Sequence, residues 1–185
     1  MDIYIEYLAV VLGAVYVVLA ARGWVWCWPA GILSSVLYIW INTEHKLYQD
    51  AILQSYYVVA GIYGWWHWQR QKDEPQSVVR LSLSQHLFWL GTGTVLVPLF
   101  GYGFAQFGNA LSYLDATVMV FSFIATWLTA RKVLESWVYW IAIDLIAAVM
   151  YGLKDLQPTV FLYLIYALVA VYGFYSWRKM TVQHG

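Results

Sequence analysis

Long apolar stretches separated by short polar ones run the length of this chain. Seven segments have the roughly 20 mostly apolar residues that a bilayer core requires: 3–21, 24–42, 49–68, 86–106, 110–130, 136–153 and 159–177. They predict seven transmembrane helices. The connections are short except for QRQKDEPQSVVRLSLSQ (69–85), which carries Pro75 and five charges and predicts a solvated loop, with or without a short surface helix. No separate soluble domain is expected. The first residues, MDIYIEYLAV, are acidic and lack a basic leader, so they read as part of the first span rather than as a cleavable signal.

The pattern repeats. LAAR (19–22) and LTAR (128–131) each close a span, and so do IYGWWHW (62–68) and VYGFYSW (171–177), both pairs being 109 residues apart. Two matches at one offset predict a duplicated three-helix unit, with spans 1–3 equivalent to spans 5–7. This divides the chain into a first repeat (1–68), a loop and linker helix (69–108), and a second repeat with its tail (109–185). One linker span makes both units enter the membrane in the same direction. Such parallel repeats, related by an axis along the membrane normal, are a transporter architecture with substrate held near the midplane between them. The expected fold is therefore an all-α integral membrane protein of 3+1+3 design.

Composition sharpens this picture. Of the 185 residues, 62% are hydrophobic and 11% charged, against about 45–50% and 25% in a soluble domain. Twelve tryptophans and sixteen tyrosines exceed what interfacial belts need. The formal charge is zero, which suggests no nucleic-acid partner, and the single Cys27 excludes an intrachain disulfide and is too little for a metal site. Charge placement sets the orientation. With the N-terminus outside, cytoplasmic connections hold Arg22, Arg70, Lys72, Arg80, Arg131, Lys132, Arg178 and Lys179, and outer ones hold Lys46 and Lys154. By the positive-inside rule the C-terminus is cytoplasmic.

Candidate chemistry lies at depth. Asp144 sits in the middle of WVYWIAIDLIAAVMY (137–151), where a carboxylate costs about 2.5–3.5 kcal/mol to insert and so normally faces a bundle interior. Trp137, Trp140, Asp144 and Tyr151 share one helical face. Aromatic rings around a carboxylate suit a flat organic cation; the alternative is a carboxylate that merely bonds a neighbouring helix. On span 3, Gln54, Tyr57, Gly61, Trp65 and Trp68 make a comparable face, with ligand contact and interhelical bonding both open. On span 2, Trp28, Gly31, Ser35, Tyr38 and Asn42, with Ser34 beside them, fit close helix packing as well as ligand contact. Pro29 is placed to kink that span. Asp50 is expected to cap span 3, and His67 and His86 to sit near the cytoplasmic interface; Asp115 has no assigned role.

Enzyme readings find little support. No lysine lies inside span 7 for a retinal Schiff base, no histidine pair lies at depth for haem, and LSYLDA (111–116) is a poor aspartyl-protease motif. No catalytic residue, metal or cofactor is assigned.

WVYWIAID (137–144) resembles the WxxWxxxN/D pattern of the Pnu family of bacterial vitamin transporters. LYQDAILQSYYVVAGIYGWWHW (47–68) and LDATVMVFSFIATWLTARKVLESW (114–137) are similar to that family's third and fifth helices. The resemblance covers nearly all of the chain from span 2 onward. It implies a SWEET-like fold in the bacterial inner membrane and facilitated uptake of a vitamin that cytoplasmic kinases then trap. It also leaves room for a homo-oligomer, such as a trimer. The substrate-binding residues it implies, together with the faces above, are Trp137, Trp140, Asp144, Gln54, Tyr57, Tyr151, Ser34, Ser35 and Trp65. Ser34 replaces an asparagine of the nicotinamide riboside branch, and the chain starts late, as in thiamine-type members. Both features favour thiamine slightly over nicotinamide riboside, with riboflavin or a nucleoside as further alternatives.

Overall fold

A computed structural model describes residues 3–45, 48–70, 78–106, 108 and 111–182. Lys46, Lys72 and Pro75 lie outside the described residues. Seven helices carry the fold: α1 (Ile3–Ala21), α2 (Cys27–Glu44), α3 (Tyr48–Arg70), α4 (Leu83–Gln106), α5 (Ser112–Ala130), α6 (Ser136–Leu153) and α7 (Gln157–Val182). Among the described residues, α1, α4, α5, α6 and α7 are long and apolar enough to cross a membrane. The other two, α2 and α3, are less apolar, with Ser34, Ser35 and Asn42 in α2 and Gln54 and His67 in α3. Pro29 falls in the first turn of α2, where the missing N–H has no helical acceptor to lose, so the kink expected there has no cause. The proline inside a helix is Pro98, in α4. Asp50 sits in the first turn of α3 rather than at its cap, where its charge complements the helix dipole.

Packing makes a ring. In each unit the middle helix touches both others, α2 between α1 and α3, and α6 between α5 and α7; the seams α3–α5 and α1–α7 close the circle. α4 packs on α5 from outside the ring. Its Gly93 and Gly101 let Phe121 and Tyr113 approach so closely that an added Cβ would sit 2.4 and 2.5 Å from their rings.

The duplication is visible in atomic detail. Ala21 and Ala130, 109 residues apart, end α1 and α5, and both helices close through the same two turn bonds. Trp24 N–H donates to Leu19 O and Gly23 N–H to Ala20 O at 3.0 and 2.9 Å; Val133 N–H donates to Leu128 O and Lys132 N–H to Thr129 O, both at 3.0 Å. The left-handed residue is Gly23 in one unit (φ 71°) and Lys132 in the other (φ 54°). Lys132 is only 4% exposed. Its ammonium lies 5.2 Å over the Trp68 ring, and burial lowers its pKa from the ordinary lysine value.

Four tryptophans at this same basic end join the units. Trp28 meets Trp68 edge-on at 5.4 Å and 86°, and their equivalents Trp137 and Trp177 meet at 5.4 Å and 87°. Trp68 and Trp177 then touch each other at 5.6 Å. Each indole N–H of that central pair crosses to the other unit: Trp68 donates to Ala130 O and Trp177 to Ala20 O, both at 3.0 Å. Gly64 and Gly173 make room, since a Cβ there would lie 2.4 Å from Trp28 and 2.7 Å from Trp137.

The segment before α4 is pinned rather than free. Val79 pairs with Val133 in a parallel bridge, its N–H donating to Lys132 O at 3.0 Å and its carbonyl accepting from Leu134 N–H at 2.9 Å. Glu135 accepts the Leu81 N–H at 3.0 Å.

Gly64→Ala and Gly173→Ala are each expected to destabilise the purified protein by about 1–3 kcal/mol through overpacking against a tryptophan. Gly103→Ala, with open space around its Cβ position, should not. Thermal unfolding in detergent compares them, and equal midpoints for all three would contradict this packing.

Candidate substrate cavity

The ring encloses a cavity of about 350 Å³ to which all six of its helices contribute and α4 does not. Its floor is at the basic end, on Ala20, Trp28 and Trp137, and its walls reach Tyr38, Leu53 and Leu162 in the outer halves of α2, α3 and α7. The two units therefore share the cavity, and the tryptophan cluster lies beneath it.

Asp144 is on the wall contributed by α6. It is 5% exposed. The only ion pair among the described residues is elsewhere, so the carboxylate has no counter-charge there. Trp140 and Trp137, one and two turns before it, line the same wall. The Trp140 indole N–H donates to Thr129 Oγ1 at 3.2 Å, whose own hydroxyl donates to Ala125 O at 2.8 Å. That chain fixes the ring's orientation. Facing helices bring Gln54, Tyr57 and Ser35 to the same space, together with Tyr16, Ser122 and Thr126.

Seven of the nine sequence-derived candidates thus meet at one cavity: Trp137, Trp140, Asp144, Gln54, Tyr57, Ser34 and Ser35. The structure places Tyr151 and Trp65 outside its lining. Tyr151 is two turns beyond Asp144 and stacks at 5.3 Å on Tyr163, which is itself a wall residue. Trp65 packs against the tryptophan-rich core instead. Ser34 lines the cavity, but its hydroxyl donates to Ala9 O at 2.8 Å, so it ties α2 to α1.

Other polar residues take structural places. The two Asp115 carboxylate oxygens accept from the Lys154 ammonium at 3.1 and 3.2 Å, joining the first turn of α5 to the end of α6. Both partners are partly exposed, so the pair contributes little to stability. His86 stacks on Tyr139 and its Nδ1 lies 3.3 Å from the tyrosine hydroxyl. His67 stacks on Tyr63 at 5.6 Å.

The 109-residue offset locates wall residues that helical spacing misses. Adding it to Gln54 and Tyr57 gives Tyr163 and Tyr166, which line the cavity; adding it to Trp28 gives Trp137, already marked by its spacing from Asp144. Ser35 and Asp144 are also equivalent positions. The carboxylate therefore sits on one side of a site in which Trp28 matches Trp137 and Tyr57 matches Tyr166, while Tyr16, Tyr38, Trp140 and Tyr163 have non-aromatic equivalents. The indole N–H groups of Trp28 and Trp137 have no hydrogen-bond partner among the described residues.

Ser34→Ala is expected to cost about 1 kcal/mol of stability, because the buried hydrogen bond that ties α2 to α1 is lost. Ser35→Ala should cost less. Thermal midpoints of the two variants decide this, and a larger loss for Ser35→Ala would reverse the assignment.

Comparison with known proteins agrees with this architecture. The chain is 25% identical to nicotinamide riboside transporter PnuC of Escherichia coli over 210 residues, covering 98% of this chain and 88% of that protein. It is also 25% identical to the riboflavin/roseoflavin transporter RibM of Streptomyces davaonensis over 174 residues, covering 90% and 81%. A crystal structure of the vitamin B3 transporter PnuC shares the fold, with a TM-score of 0.79 at 23% identity over 100% of this chain and 84% of that one. Residues 3–179 match the family described as nicotinamide mononucleotide transporter, and this chain belongs to that family of membrane transporters.

Proposed function

We propose that this protein, a multi-pass vitamin transporter of the bacterial inner membrane, carries nicotinamide riboside. The observation that supports the reading most is Asp144: a buried carboxylate without counter-charge, beside two indole rings, in a cavity between two equivalent units. Nicotinamide riboside is a flat aromatic cation. Its pyridinium would lie against Trp137 and Trp140, where ring faces attract a cation, with Asp144 supplying the neutralising charge. Gln54, Ser35 and Tyr57 would meet the ribose hydroxyls, and a polar occupant would offer partners to the unsatisfied Trp28 and Trp137 donors.

Thiamine, slightly favoured by the family resemblance, takes second place. That preference rests on the late start of the chain and on Ser34 standing where the riboside branch has asparagine. The Ser34 hydroxyl is committed to Ala9, so its identity says little about ribose contacts. The relatives compared above are named for nicotinamide riboside and riboflavin. Riboflavin is the reading from the RibM likeness, but its three fused rings are uncharged. A cavity of about 350 Å³ is also near the lower end of the about 300–1,000 Å³ typical of small-ligand sites.

Passage follows from the placement of the floor. The outer walls lead to the site and the tryptophan cluster closes it toward the cytoplasm. Release inward requires the two units to part there, breaking the Trp68–Ala130 and Trp177–Ala20 bonds together. Substrate lost to cytoplasmic phosphorylation makes net uptake possible without an ion gradient.

Titration of purified protein with nicotinamide riboside, riboflavin and thiamine, read by tryptophan quenching, tests the substrate. Riboflavin or thiamine binding alone would replace the proposal. In Asp144→Asn, affinity for nicotinamide riboside should fall by roughly tenfold to a hundredfold, as expected for a lost charge-assisted contact. Affinity for its uncharged dihydro form should barely change. Equal losses for both forms would remove the charge from the argument. A Trp68→Phe, Trp177→Phe double variant should bind within about threefold of the parent, since neither ring lines the cavity, but exchange labelled substrate across liposomes at a changed rate. A parental exchange rate would mean the clamp does not gate release.

A further inference from the structure

A second cavity of about 480 Å³ lies at the basic end, outside the ring, between the end of α3, the pinned segment before α4, the start of α4, and the end of α5. Its charged side chains include two arginines, Arg80 and Arg131, and no carboxylate lines it among the described residues. The bridge between Val79 and Val133 brings the arginines together, since each is within two residues of a bridge partner. The nearby Glu135 carboxylate is engaged by the Leu81 N–H and is not in the lining. Arg131 also lies 6.0 Å over the Trp127 ring. Gln85 adds a neutral polar group, and the exposed Phe88 with the half-buried Trp89, packed on the α5–α6 core, continues the lining along the start of α4.

From these features we infer that this cavity is a binding site for a phosphate-bearing anion at the cytoplasmic surface, of the kind an anionic lipid headgroup presents. Guanidinium groups match phosphate oxygens with paired donors. Basic pockets between membrane helices on the cytoplasmic side are where such headgroups are held. Trp89 and Phe88 provide an apolar continuation that acyl chains can lie along. The site is separate from the central cavity, with no residue common to the two linings. It shares α5 with that cavity and braces the α5–α6 turn whose other face holds the tryptophan clamp.

Native mass spectrometry of the full chain in detergent tests this, with phosphatidylglycerol, phosphatidylcholine or inorganic phosphate added. One phosphatidylglycerol should be retained in preference to phosphatidylcholine. Retention should weaken about fivefold in Arg80→Gln or Arg131→Gln and about thirtyfold in the double variant. Arg22→Gln, at the basic end but outside this cavity, should retain it as the parent does. Vitamin binding, measured on every variant, reports that the protein is folded and should be unchanged. Displacement of the lipid by millimolar phosphate would identify the phosphate group as the recognised element; resistance to phosphate with displacement by a second anionic lipid would identify the intact lipid. Equal retention of phosphatidylcholine, or undiminished retention by the folded double variant, would overturn the site.

Discussion

Two indole N–H groups that each reach a carbonyl of the opposite unit join the two halves of this molecule. A helix end leaves carbonyls without partners, and in an apolar medium each must find one. Here Ala130 O, at the end of α5, is satisfied by Trp68, and Ala20 O, at the end of α1, accepts from Trp177 as well as from Gly23 N–H. Because the donors come from the other unit, satisfying the backbone also joins the two halves. The glycines that admit Trp28 and Trp137, the edge-on ring contacts, and the shared left-handed turn geometry at Gly23 and Lys132 all serve this junction.

That junction also frames the central cavity. The units touch through α3–α5 and α1–α7, which leaves a cavity on their axis. Duplication supplies two equivalent aromatic pairs in its wall, Tyr57 with Tyr166 and Trp28 with Trp137. Divergence supplies direction: Asp144 stands where the other unit has Ser35. A buried charge without a partner is destabilising by itself, so its place in the wall is consistent with a cationic occupant that offsets the cost.

The residues outside the cavity show how ambiguous polarity is in a membrane chain. Asp115 and Asp144 are both carboxylates within apolar segments. Yet one forms a partly exposed pair with Lys154 near the outer end, and the other faces the cavity. Ser34 and Ser35 are neighbours with different work, because consecutive helical residues point about 100° apart and only Ser34 reaches α1.

Much of this fold was legible in the chain alone. Seven apolar runs, the 109-residue offset and the arginine and lysine bias determine helix number, duplication and orientation, since bilayer thickness and backbone hydrogen bonding leave few alternatives. Helical spacing also singled out Trp137, Trp140 and Asp144, because a carboxylate at depth must face inward. What only the tertiary structure decided is which polar groups share a space. Tyr151 keeps the period of Asp144 but lies too far along α6, stacked on Tyr163. Trp65 and Trp68 share a face with Gln54, yet Trp65 packs into the core and Trp68 bonds the opposite unit. The sequence carries each helix's inward face; the depth at which that face meets a cavity, a neighbouring helix or another ring depends on how six helices close into a ring, and no local pattern encodes that.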